Sequence, residues 1–246
     1  MKPFVIGHAA AGGEAPENTL AGVRASLDAG AEAMEIDVQI CAEGVPVLMH
    51  DATADRTTNL GGSIRELSLA ALQGADAAGG EPVPTLDQVL DLVNRRLTVM
   101  CELKVDFSDP AVDTALVDAV LATVRRHGAE TWCAMHSFHP ETVRYARAQA
   151  PEMSAAIISV NVDETGLERL IAGALKRNAQ AISLQHNCIT PDIVRRAKQR
   201  QLTVWTWTPD TERQWGLMVE AGVDGIITNF PHRLRQWLRE SWVLSA

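Results

Sequence analysis

Glu35 and Asp37 stand two residues apart in the run MEIDVQICAEGVPVLMHD (34–51), which His50 and Asp51 close. Side chains at i and i+2 of a strand share a face, so the two carboxylates emerge side by side among apolar neighbours. The spacing recurs in CELK (101–104), where Glu102 and Lys104 share a face, and His8 ends the apolar run PFVIGH. Three carboxylates aimed at one volume repel unless they are protonated or bridged by a cation. A hard divalent ion, Mg²⁺ or Ca²⁺, completed by water or substrate oxygens, is the natural bridge. Two imidazoles, with an ordinary pKa of about 6.5, suit proton transfer near neutrality, and Lys104 can hold an anion. Such a set suits attack at phosphorus, where charge must be neutralised and protons moved. Each residue alone has a plainer role as loop cap, ion-pair partner or hydrogen-bonded structural histidine.

What brings these groups together is the order of elements. Short β-branched runs alternate with amphipathic helical stretches, the rhythm of βαβ units and a parallel sheet. Strands are expected at Phe4–His8, Ala33–Val38, Pro46–His50, Leu97–Leu103, Trp132–Ser137, Ser154–Ser159, Ala181–Gln185, Leu202–Trp207 and Gly225–Thr228. Helices are expected at Glu17–Ala29, Thr85–Arg95, Ala111–His127, Pro140–Gln149, Glu164–Ala174, Pro191–Gln201, Thr211–Ala221 and His232–Trp242. A short helix is expected near Leu67–Leu72 within the irregular stretch Thr53–Pro84. Asn18-Thr19, Thr85, Asp109-Pro110, Thr190-Pro191 and Asp210 supply capping oxygens or first-turn prolines. Nine strands are one too many for an eightfold barrel. Only Ala42-Glu43-Gly44 separates the second and third, too short for a crossover helix, so these form an antiparallel hairpin. The remaining eight predict a TIM (β/α)₈ barrel with a hairpin extension after strand two. His8, His50, Glu35, Asp37 and Glu102 then gather at the C-terminal mouth, where such barrels keep their chemistry.

The 246 residues fit one such domain, spanning 1–246. The net charge of −9 leaves no basic excess for a nucleic acid. No apolar run reaches the ~18–20 residues of a membrane helix, and the strand expected at the N-terminus leaves no room for a signal peptide, so the cytoplasm is the expected compartment. Cys41, Cys101, Cys133 and Cys188 are widely spaced and lack metal-ligand spacing, as expected of reduced thiols. A homo-oligomer is compatible with the sequence.

Several motifs follow one another along the chain. They are APENTLAG (15–22), EIDV (35–38), MHDATADRTT (49–58), VPTLDQVL (83–90), CELK (101–104), HSFHPE (136–141), VWTWT (204–208) and AGVDGIITNFP (221–231). Together they resemble the glycerophosphodiester phosphodiesterase family of phospholipase C-like TIM barrels over nearly the full chain. The resemblance implies hydrolysis of glycerophosphodiesters to glycerol 3-phosphate and an alcohol, with metal bound by Glu35, Asp37 and Glu102. It implies acid–base roles for His8 and His50 and a phosphate contact for Lys104. In that account a glycerol hydroxyl attacks phosphorus, and water opens the resulting cyclic phosphate. Trp207 is a candidate wall for the alcohol or glycerol moiety, Glu17 and Asn18 for bracing the first loop and orienting His8, and Arg56 for pairing with Asp51 or Asp55. Asp224 and Asn229 are expected to shape the turn into the last helix.

One departure stands out. The family reads His-Arg-Gly after strand one, whereas this chain reads His8-Ala9-Ala10. The fork of an arginine is a geometry that lysine does not reproduce, and its loss is expected to weaken phosphate binding by about 1.5–3 kcal/mol. His136 and His186, both expected at the mouth, are candidates to compensate, with His136 the candidate substrate contact. The alternatives are a diesterase shifted towards lysophospholipids or sugar phosphodiesters, or a catalytically impaired metal-binding barrel.

Overall fold

Alternate residues of each strand enter different surroundings, and that alternation builds the molecule. The computed structural model describes residues 2–106 and 111–243. Its strands are β1 (Phe4–Gly7), β2 (Ala33–Ile40), β3 (Pro46–Leu48), β4 (Thr98–Leu103), β5 (Cys133–Ser137), β6 (Ser154–Ser159), β7 (Ala181–Gln185), β8 (Thr203–Trp207) and β9 (Gly225–Thr228). Eight of them run parallel in the order β1-β9-β8-β7-β6-β5-β4-β2, and β1 pairs with β2 to close the ring. This is a TIM barrel. β3 stands outside the ring, antiparallel to the end of β2 through Val38↔Leu48 and Ile40↔Pro46.

Along the barrel axis, Ile6, Ala33, Met100, Ala134 and Ile227 pack with Trp205 and Trp207. The alternate residues, among them Val5, Met34, Ile36, Val99, Ile182 and Val204, join the larger core beneath the helices. Those helices are α1 (Leu20–Asp28), α2 (Leu69–Gly74), α3 (Leu86–Val93), α4 (Thr114–Arg126), α5 (Pro140–Gln149), α6 (Glu164–Lys176), α7 (Pro191–Gln199), α8 (Glu212–Ala221) and α9 (Pro231–Val243). In α4 the buried residues Leu116, Val117, Val120, Leu121 and Val124 recur at helical spacing and form its inner stripe.

Helix starts follow local chemistry. Thr19, Thr85 and Thr190 accept from the backbone of their first turns, and Gln88 completes a capping box with Thr85. The expected cap at Asp210 is taken instead by Thr211, boxed with Gln214, because Asp210 is drawn to the end of β9. The Asp109-Pro110 cap lies outside the described residues. Among the described residues, no helix is long and apolar enough to cross a membrane. All four cysteines are free.

The loop after β1 lies tightly against the barrel. A Cβ at Gly7 would stand 1.9 Å from the Ala10 carbonyl oxygen and 2.1 Å from Ser26 Oγ, and the Ser26 hydroxyl donates to that same carbonyl. Glycine is therefore needed for close approach. Gly7→Ala should destabilise the protein by about 3 kcal/mol, read as a lower urea midpoint, and should displace the segment carrying His8.

Candidate active site

The strand ends converge on a cavity of about 250 Å³. His8, Glu35, His50, Glu102 and His136 line one side of it, and Phe138, Ile158, Trp207 and Ile227 line the other. The polar side comes from β1, β2, the β3 return, β4 and β5, and the apolar side from β6, β8, β9 and the residue after β5. Trp207 and Phe138 meet edge to face, with ring centroids 5.7 Å apart.

Both imidazoles are held through Nδ1. His8 Nδ1 lies 2.8 Å from Asn229 Oδ1, while the Asn229 amide donates 2.7 Å to Asp210 Oδ2. Asp210 thus fixes the amide so that its oxygen faces the ring, and His8 Nδ1 carries the proton. That leaves Nε2 as the lone-pair nitrogen, 4.0 Å from Glu35 Oε2. His50 Nδ1 donates to Asp51 Oδ1 at 2.7 Å, again leaving Nε2 free. Asp51 is in turn gripped by Arg56, whose guanidinium also forks onto Glu17. The hydrogen bond from Arg56 brings the Asp51 carboxyl down to about 2. Burial alone would lower the pKa of His8. The Glu35 charge, the Asn229 hydrogen bond and the charges of Asp37 and Asp210 outweigh it and hold the ring above 6.5.

The acidic residues part company in a way their spacing does not reveal. Lys104 Nζ lies 2.8 Å from Glu102 Oε1 and 3.3 Å from Asp37 Oδ1. Asp37 also accepts from the Asn18 amide at 2.7 Å, and its own N–H donates to Asn18 Oδ1. Asp37 and Glu102 thus share the Lys104 ammonium, which also lines an outer groove. Attraction in a poorly solvated interior accounts for this pairing.

Among the described residues, Glu35, Glu102 and His136 form a group that could hold a metal ion, their ligand atoms all lying within 4.8 Å of one another. Glu35 Oε1 and both ring nitrogens of His136 are buried without a hydrogen-bond partner. Glu35 Oε1 and His136 Nε2 stand 3.6 Å apart, too far for a hydrogen bond and a natural separation for two ligands of one cation. These orphaned atoms fit a divalent ion. Burial opposes ionisation of Glu35, but His136, His8 and the Ala9 N–H outweigh it and hold the carboxyl below its ordinary range. Glu102 is pushed the other way, by burial first and by the Asp37 charge next.

Other expectations resolve into particular contacts. Asn18 braces Asp37 rather than His8, and Glu17 braces Arg56; Arg56 pairs with Asp51 and not Asp55, which accepts from Gly62 N–H. Asn229 orients His8 from the turn into α9. His186 lies away from the cavity, beside Gln214 in a groove between α7 and α8. Nothing in the sequence marks Asp210 for the site, since only the closed barrel brings it to Asn229. Ala9 and Ala10 take left-handed backbone, φ 46° and 70°, and their N–H groups donate to Glu35 Oε2 and to the Glu35 carbonyl. Ala9 lines a second groove of about 500 Å³, which His8 and His50 also line.

Residues 8–233 match the glycerophosphoryl diester phosphodiesterase family. The chain is 29% identical to a glycerophosphodiester phosphodiesterase of Caldanaerobacter subterraneus subsp. tengcongensis, over 98% of this chain and 99% of that one. A crystal structure from Silicibacter pomeroyi, provisionally named a glycerophosphoryl diester phosphodiesterase, superposes with a TM-score of 0.89 at 30% identity, covering 97% of this chain and 94% of that one. The Oleispira antarctica phosphodiesterase in complex with its product sn-glycerol-3-phosphate shares the fold, with a TM-score of 0.86 at 23% identity over 96% of this chain and 97% of that one. The chain therefore belongs to the glycerophosphoryl diester phosphodiesterase family, as a phosphoric diester hydrolase.

Proposed function

We propose that this chain hydrolyses glycerophosphodiesters to sn-glycerol 3-phosphate and an alcohol, with a divalent cation held by Glu35, Glu102 and His136 and with His8 and His50 moving protons. The observation that carries the reading is the pair of Nδ1-anchored imidazoles beside buried atoms of Glu35 and His136 that lack a hydrogen-bond partner. A cation bound there would neutralise charge developing on the phosphoryl oxygens.

The residues divide the remaining work. One ring, neutral, takes the proton of the attacking glycerol hydroxyl at Nε2, and the other, starting as imidazolium, gives its Nε2 proton to the leaving alcohol oxygen. The cyclic phosphate so formed is opened by water with the two roles exchanged. Asn229 and Asp51 keep each ring turned and in one tautomer. Lys104 contributes its charge to the phosphate side from its place on Glu102 and Asp37, and Asp37 completes the acidic set through that lysine. Trp207 and Phe138 cover the carbon skeleton and exclude water. Oxygen donors suit Mg²⁺ or Ca²⁺, and the His136 nitrogen also suits Mn²⁺ or Zn²⁺.

The test is release of glycerol 3-phosphate from glycerophosphocholine by protein stripped with chelator and reloaded with each ion. Release should vanish on stripping and return with at least one of them. Undiminished release in excess chelator would remove the cation from the reading, and no release from any glycerophosphodiester with any ion would remove the substrate class.

A further inference from the structure

The apolar half of the cavity contains one polar side chain among the described residues, Ser183. Strand alternation puts Ala181, Ser183 and Gln185 of β7 on the inner face, while Ile182 and Leu184 join the outer core. Ser183 is wholly buried, lines the cavity, and its Oγ has no hydrogen-bond partner. The nearby indole cannot serve it, because Trp207 Nε1 already donates to the Ser183 carbonyl oxygen at 3.3 Å.

A hydroxyl left without a partner in an apolar wall is costly, and an aliphatic or alanine side chain would avoid that cost. Its chemistry narrows what would satisfy it. A serine hydroxyl both donates and accepts, which matches a neutral hydroxyl on the ligand. An anion has stronger partners on the opposite side, where the imidazoles lie. The cavity, at about 250 Å³, is below the ordinary range for drug-sized ligands and suits a three-carbon polyol better than an acyl chain.

Building on the proposed reaction, we propose that Ser183 is a specificity residue that hydrogen-bonds the terminal hydroxyl of the substrate's glycerol moiety, so that the site reads glycerol and rejects its deoxygenated or O1-acylated forms. The phosphate is then held on the imidazole side, the carbon chain lies against Trp207, and the far hydroxyl ends at β7. The same contact orients the middle hydroxyl towards phosphorus.

The test compares sn-glycerol 3-phosphate with 2-hydroxypropyl phosphate, which lacks only the terminal hydroxyl, by calorimetric binding to the metal-loaded protein. The matching choline diesters are compared by kcat/KM. The wild type should favour the glycerol compound about 10- to 100-fold. Ser183→Ala should bring the two compounds within about threefold by weakening the glycerol one, without lowering the melting temperature, and Ser183→Thr should restore part of the preference. Equal binding of both compounds by the wild type would overturn the proposal, as would a Ser183→Ala protein that keeps the preference. If neither diester is cleaved but the binding preference depends on Ser183, the recognition stands and the catalytic reading fails.

Discussion

His50→Ala should lower kcat/KM on glycerophosphodiesters by about 10²- to 10⁴-fold, and His8→Ala by a similar factor. Each ring presents a free Nε2 beside the cavity and is anchored through its other nitrogen, so each variant removes one proton-transfer partner and leaves the acidic cluster intact. Cation binding, followed by calorimetry, should therefore survive both changes. His186→Ala, at a groove elsewhere on the barrel, should retain near-normal turnover and serves as the control. The pH profile adds a second readout. A base works only when unprotonated, so kcat/KM should fall on the acidic side as His8 takes up a proton, and this limb should be lost in His8→Ala. Wild-type turnover in either His→Ala protein would exclude that ring from the reaction.

Glu102→Gln should abolish measurable cation-dependent turnover and weaken ion affinity by more than about 100-fold. Changes to groups merely supporting metal ligands already cost about 10- to 100-fold. The substitution keeps the shape and removes one of two carboxylates in the candidate ligand set. Because burial and the Asp37 charge push the Glu102 carboxyl above its ordinary range, protons compete for it early. Ion affinity in the wild type should accordingly weaken with falling pH at higher pH than an ordinary glutamate would dictate. Lys104→Met offers the opposite sign: its ammonium contacts Glu102 directly, so its removal should tighten cation binding while reducing turnover. Unchanged ion affinity in Glu102→Gln would place the cation elsewhere.

The barrel was legible because closure depends on local patterns. The three residues Ala42-Glu43-Gly44 exclude a crossover, and that decides which of nine strands stands outside the ring. β6 and β7 fall where alternation puts them. α1 is shorter than its apolar pattern because Asn18, at φ 55°, leaves the helix to bind Asp37. β3 ends at Leu48 because Met49 and Asp51 turn their carbonyls to the Gln39 amide. Within the site, strand-end positions found the histidines and carboxylates but not their pairing. That Lys104 bridges Asp37 and Glu102 depends on where two strands stand relative to each other. So does the chain from Asp210 through Asn229 to His8, which joins residues more than 200 positions apart. No spacing rule within one strand carries that information, and the orphaned Ser183 hydroxyl is visible only once the opposite wall is in place.

The Glu35 carboxylate accepts the Ala9 N–H with one oxygen, while its other oxygen is buried without a hydrogen-bond partner in the candidate metal cluster. The two tasks share one carboxylate, so a cation bound at that cluster would be reciprocally linked to the ordering of the His8-bearing loop: each would favour the other by the same coupling free energy. A defect placed at Ala9 or Ala10 would then masquerade as a metal-binding defect, and raising the ion concentration would rescue it.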